Sequence, residues 1–89
     1  MKAIVTVVGK DQVGIIAAVA NKLAEYNVNI LDISQTVMQG YFTMMMVVDV
    51  SACTIPVAEF SVVMDETGKE KGLSIRVQRE DIFEAMHRI

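Results

Sequence analysis

Two stretches of the chain alternate apolar and polar residues, Leu31, Ile33 and Val37 with Asp32, Ser34 and Thr36 in one and Leu73, Ile75 and Val77 with Ser74, Arg76 and Gln78 in the other, whereas Lys2 to Val8 and Tyr41 to Val50 carry apolar or β-branched residues on both phases of that alternation. Because successive strand side chains point to opposite faces, the first pair reads as strands with one wet face and the second as strands enclosed by neighbours. Between them lie two segments with helical spacing. The first follows the loop Gly9 to Gly14 and runs to about Tyr26, with Ile16, Val19, Ala20 and Leu23 in one stripe and Asn21, Lys22 and Glu25 opposite. Asp11 stands where it would accept backbone N–H bonds at the start of that helix. The second opens at Pro56, where a missing N–H costs least, places Val57, Phe60 and Met64 in its stripe with Val63 beside them, and ends at Gly68 or Gly72. Asn27-Val28-Asn29 turns the first helix into the second strand, and Gln39-Gly40 reads as a tight hairpin between the second and third.

The order strand, helix, strand, strand, helix, strand, with the first and third strands inside and the other two at the edges, is a split βαβ arrangement. The handedness of connections between parallel strands then puts both helices on one side. The expected fold is an α+β ferredoxin-like sandwich, a four-stranded antiparallel sheet with two helices on one face, over residues 1–79. Residues 80–89 add a short C-terminal amphipathic helix, with Ile82, Phe83, Met86 and Ile89 on one side, packed on the same domain or on a partner subunit. The sheet face away from the helices would carry Ile4, Thr6, Val8, Tyr41, Met45 and Val47, a half-apolar surface that calls for cover.

Eighty-nine residues allow a single core, and 53% apolar against 21% charged residues excludes disorder. No apolar run approaches the ~20 residues that span a bilayer, and the N-terminus enters a strand pattern without a signal-peptide cleavage site. A lone Cys53 likewise fits a reducing compartment, so the expected location is the cytoplasm. A net charge of −3 gives no electrostatic footprint for nucleic acid or anionic lipid.

The chemistries that this scaffold carries elsewhere need residues that are missing here. An RNA-recognition surface needs aromatic residues on both central strands, and only Tyr41 is present. A soft-metal site needs paired cysteines. Met44, Met45 and Met46 point alternately to opposite faces and cannot converge on an ion. Acyl-phosphate hydrolysis needs a guanidinium beside the first loop, and Arg76, Arg79 and Arg88 all come late in the chain. Gly9 and Gly14 have P-loop spacing, but Ile15-Ile16 stands in place of the lysine and hydroxyl residue. His87 near the end, Cys53 without a basic neighbour and the adjacent carboxylates Asp65-Glu66 and Glu80-Asp81 assemble no nucleophile or acid–base pair. The chain is therefore expected not to be an enzyme and to need no metal or cofactor.

What remains is the first loop together with Asn29. Main-chain amides of Gln12, Val13 and Gly14 at a helix start could hold a carboxylate, with Asp11 accepting from an ammonium group and Asn29 both donating and accepting. A purely local account serves equally at this point: Asp11 caps, Gly14 permits close packing and Asn29 makes a turn.

The segment Val7-Val8-Gly9-Lys10-Asp11-Gln12-Val13-Gly14-Ile15-Ile16, followed by Leu23-Ala24-Glu25 and Asn27-Val28-Asn29-Ile30-Leu31-Asp32, resembles an ACT domain. It is similar in character to small prokaryotic proteins made of one such domain and to modules of a glycine-cleavage repressor. The resemblance implies a regulatory module of the ferredoxin-like fold that pairs side by side and binds an amino acid at the subunit interface. It implies ligand contacts at Asp11, Val13, Gly14 and Asn29. Val13 stands where many members have Pro, and Gly9 lacks the side chain that some serine-binding members place there. The expected function is thus amino-acid sensing at a homodimer interface, read out by a partner protein. The alternative is a ligand-free dimerisation or interaction module.

Overall fold

The computed structural model describes residues 1–81. It contains β1 (Lys2–Lys10), α1 (Ile15–Glu25), β2 (Asn29–Met38), β3 (Tyr41–Asp49), α2 (Val57–Lys71) and β4 (Ser74–Arg79), in that order. The sheet order is β2-β3-β1-β4 with every neighbouring pair antiparallel, so the two strands apolar on both phases are central, as expected. The tail expected over residues 80–89 lies outside the described residues from Ile82 onward.

Register settles which residues share a face. Ala3, Val5 and Val7 of β1 pair with Val48, Met46 and Met44 of β3, and all six are buried. They meet Ile15, Val19 and Leu23 from α1 and Phe60 and Met64 from α2, which places both helices on that one face. The other phase, with Ile4 opposite Val47 and Thr6 opposite Met45, forms the open face. Tyr26, capping α1, meets Phe60 of α2 edge to face at 5.8 Å between ring centroids and so joins the two helices.

Three details depart from the sequence reading, and one alternative that it left open, the stop of α2, is resolved. β1 continues through Gly9 to Lys10, because the facing residues Phe42 and Tyr41 keep the ladder going. α1 begins at Ile15, and its inner row is Ile15, Val19 and Leu23, while Ile16 stands 43% exposed on the flank. α2 runs through Gly68 and stops at Gly72, which takes φ +71°. Leu73 N–H donates to the Gly68 carbonyl at 2.7 Å, the closing bond of a glycine-terminated helix. Finally, every residue of β2 is exposed, although one of its faces was expected to be dry. A bulge between Ile30 and Asp32 takes Leu31 out of the alternation. Ile30, Ile33 and Val37 do lie on the helix side, but neither helix reaches far enough to cover them.

Gly68 supplies a test of the helix-to-sheet packing. A Cβ built there would lie 2.7 Å from the backbone oxygen of Leu73, which cannot move without shifting β4. Alanine gains ~1 kcal/mol of helix propensity over glycine, against a cost of about 1–3 kcal/mol for overpacking. Gly68→Ala is therefore expected to destabilise by about 1 kcal/mol and to lower Tm by roughly 4–8 °C in a thermal melt. An unchanged or higher Tm would show that α2 and β4 are looser than described.

Candidate functional site

The loop between β1 and α1 is fixed at both ends by bonds that its sequence does not advertise. Asp11 N–H donates to the Gly40 carbonyl at 2.8 Å, tying the loop to the β2–β3 hairpin. The Gln12 side-chain amide donates to the carbonyl of Lys71, the last residue of α2, at 3.1 Å. Gly14 then takes φ +86°, a conformation that glycine adopts without strain, and its carbonyl accepts the N–H of Ala18 at 2.9 Å as the first helical bond.

Among the described residues no side chain caps α1. Asp11 thus does not cap it, contrary to expectation. The strand's extension to Lys10 and the tie to Gly40 leave Asp11 beside the hairpin, three residues before the Gly14 cap position. Among the described residues the first N–H groups of α1 consequently have neither an intrahelical nor a side-chain partner, and the helix places partial positive charge there. Gln12, Val13, Gly14, Ile15, Ala18, Lys71 and Leu73 line a cleft of about 140 Å³ beside this helix end. That is room for a solute of a few heavy atoms, since a water takes ~30 Å³. Lys71 and Leu73 escaped the sequence reading. They lie 59 or more residues from Gln12 and arrive only because α2 ends against the first loop.

Asn29 is not part of this cleft. It starts β2 opposite Asp49, whereas the loop adjoins Lys10 and Tyr41 at the other end of the same ladder. Eight steps along β3 separate the two places, roughly 27 Å at strand rise. Within one chain, Gln12, Val13 and Gly14 line the cleft, Asp11 adjoins it in sequence without lining it, and Asn29 lies at the other end of the sheet.

The Asn29 end has its own polar cluster. Asp49 accepts the Ser51 N–H at 2.9 Å, and the N-terminal ammonium of Met1 lies 3.6 Å from the Asp49 carboxylate and donates to the Ser51 hydroxyl. Hydrogen bonds from Ser51, side chain first and backbone second, hold the Asp49 carboxyl below its ordinary value of 3.8, and the Met1 ammonium adds to the effect.

The comparisons with known proteins agree with the fold. The family model described as an ACT domain matches residues 2–78. The chain belongs to the ACT domain family. It is 53% identical over 89 residues to a UPF0237 protein of Listeria innocua, with each chain covered completely. It is also similar to the solved ACT domain protein from Streptococcus pneumoniae, at 46% identity and TM-score 0.83 over 94% of each chain. A formyltetrahydrofolate deformylase from Pseudomonas syringae shares the fold at TM-score 0.80 and 23% identity, and this chain spans only 27% of that enzyme. Among the described residues no helix is long and apolar enough to cross a membrane.

A carboxyl held low when folded releases its proton more readily than in the unfolded chain. Its stabilisation is therefore present above the ordinary carboxylate value and disappears as pH falls through the lowered one. Denaturation midpoints of the natural chain and Asp49→Asn are expected to differ at pH 6 and to draw together only as pH falls below the ordinary carboxylate value of 3.8 and through the lowered one. A difference that is the same at every pH from 6 down to acid unfolding would mean that the cluster contributes nothing through the charge of Asp49.

Proposed function

We propose that the protein is a cytoplasmic, non-catalytic sensor that binds a small amino acid at the junction of a homodimer and passes the bound state to a partner protein. ACT domains are typically regulatory ligand-binding modules that commonly dimerise. The observation that carries the reading is the uncapped start of α1 beside a small cleft. Its amides suit a carboxylate, and the exposed Asp11 suits the ammonium of the same zwitterion.

The separation of Asn29 from that loop supports a site shared between two chains. β2 is a ten-residue edge strand, exposed throughout and rich in apolar residues, the kind of edge that pairs with another strand. Two copies of β2 laid antiparallel would bring Asn29 of the partner subunit alongside Met38, at the hairpin whose Gly40 holds Asp11. Ligand and dimer formation are then linked, because a molecule bound across the junction stabilises the pair by mass action.

A thermal-shift and calorimetric screen of the full chain against the amino acids tests this. At ten times its Kd a ligand adds ~1.4 kcal/mol, which raises Tm by roughly 6–11 °C. Asn29→Ala should remove that shift while leaving the ligand-free Tm within a degree or two, since the residue is exposed. Sedimentation should show a dimer that Ile33→Glu weakens. A monomer at all concentrations refutes the shared site. A dimer that responds to none of the amino acids supports the second reading instead, in which the exposed apolar residues of β2 serve only dimerisation or docking.

A further inference from the structure

On the sheet face away from the helices, four exposed apolar side chains gather at the end that carries the first loop. Met38 of β2, Tyr41 of β3 and Lys10 of β1 stand in one row across the strands. Val8 lies opposite Thr43 in the next row of this face, and Met45, Thr6 and Arg76 form the row after that. Val8 and Met45 are 42% exposed, Tyr41 57% and Met38 69%. An apolar cluster with a polar rim is the usual mark of an interaction surface.

The rim carries charge of one sign. Lys10 closes the patch at the loop end and Arg76 flanks it on β4; both are exposed, and among the described residues neither has an ion-pair partner. Asp11, next in sequence to Lys10, lies in the loop beyond the strand and forms no ion pair with it. The carboxylates that the strands place on this face, Asp32 and Asp49, stand toward the other end, opposite Val47 and Lys2. A chain of net charge −3 thus keeps two unpaired cations around its apolar patch.

Backbone pairing and charge together select the occupant. β1 and β3 are central strands whose main-chain groups are already bonded on both sides, so a further strand has nothing to pair with here and only side-chain packing is available. A helix packs in that way. The patch runs four residues along the strands, roughly 14 Å, and two strand spacings across, roughly 10 Å. About nine residues of helix have that length, and a helix with its side chains has that width. We propose that this end of the open face docks an acidic amphipathic helix of a partner protein, its apolar stripe on Val8, Tyr41 and Met45 and its carboxylates against Lys10 and Arg76. A second copy docked through the same patch brings its own Lys10 and Arg76 into an interface that holds no carboxylate, which disfavours it. The surface lies outside the first-loop cleft, and docking there does not depend on amino-acid binding.

An NMR titration of the full chain tests this with two alanine-rich peptides of about 15 residues, the length at which an isolated helix begins to hold. They share one leucine stripe and carry either glutamate or lysine on its flanks. The glutamate peptide is expected to shift the amide signals of Val8, Tyr41 and Met45. Lys10→Glu combined with Arg76→Glu should weaken it about fivefold or more and leave Tm within a degree or two, since both residues are exposed. Equal binding of the two peptides, shifts confined to other surfaces, or no shift at millimolar peptide overturns the proposal. So does self-association in sedimentation that Tyr41→Ser removes, because a second copy then occupies the face. A free chain whose Val8 and Met45 methyls a soluble paramagnetic agent fails to reach overturns it as well, because the chain then covers them itself.

Discussion

The pairing of β1 with β3 is the constraint on which the rest of the structure depends. Nine consecutive register pairs, from Lys2 opposite Asp49 to Lys10 opposite Tyr41, lock the parity of both central strands together. A slip by one residue would turn either Val5 and Val7 or Met44 and Met46 out of the core and bring either Lys10 or Thr43 and Asp49 in. With that register set, the helices have a single apolar surface to occupy. The first loop must then come to rest at the Lys10 end, beside the hairpin and the end of α2.

The same ladder explains why the polar features fall into two separate groups. One end gathers the start of α1, Gln12 and Lys71; the other gathers Asn29, Asp49, Ser51 and the N-terminal ammonium. A rigid sheet keeps the groups a strand length apart, so a small molecule that touches both must lie between chains. The binding chemistry offered by the first loop is mostly main-chain. Uncapped amides and a glycine at φ +86° depend on backbone geometry, which tolerates side-chain variation such as valine at position 13. An architecture of this kind suits membership of a regulatory family whose fold also occurs within a deformylase chain.

Much of the fold was legible because it rests on period and punctuation. Apolar content on both phases marked β1 and β3 as central, Pro56 marked the start of α2, and Gln39-Gly40 marked the hairpin, where both residues indeed take positive φ. The errors have a common cause. The choice between Ile15 and Ile16 as the inner residue and between a dry and a bare face for β2 each turns on what lies opposite, as does the choice between Gly68 and Gly72 that the pattern left open. A single segment's pattern is compatible with both answers. The bulge at Leu31 left no clear mark, since the residues on either side still alternate plausibly.

By itself the amino-acid order determined the element sequence and the strand order, because these follow from local periodicity and residue type. Only the tertiary structure decided that Asp11 is tied to the hairpin through its backbone N–H and does not cap α1, that Lys71 lines the cleft, and that Asn29 stands at the far end of the sheet. Those placements are distances between segments remote along the chain. They are set by register and by how far each helix extends over the sheet, and neither is written into any one segment.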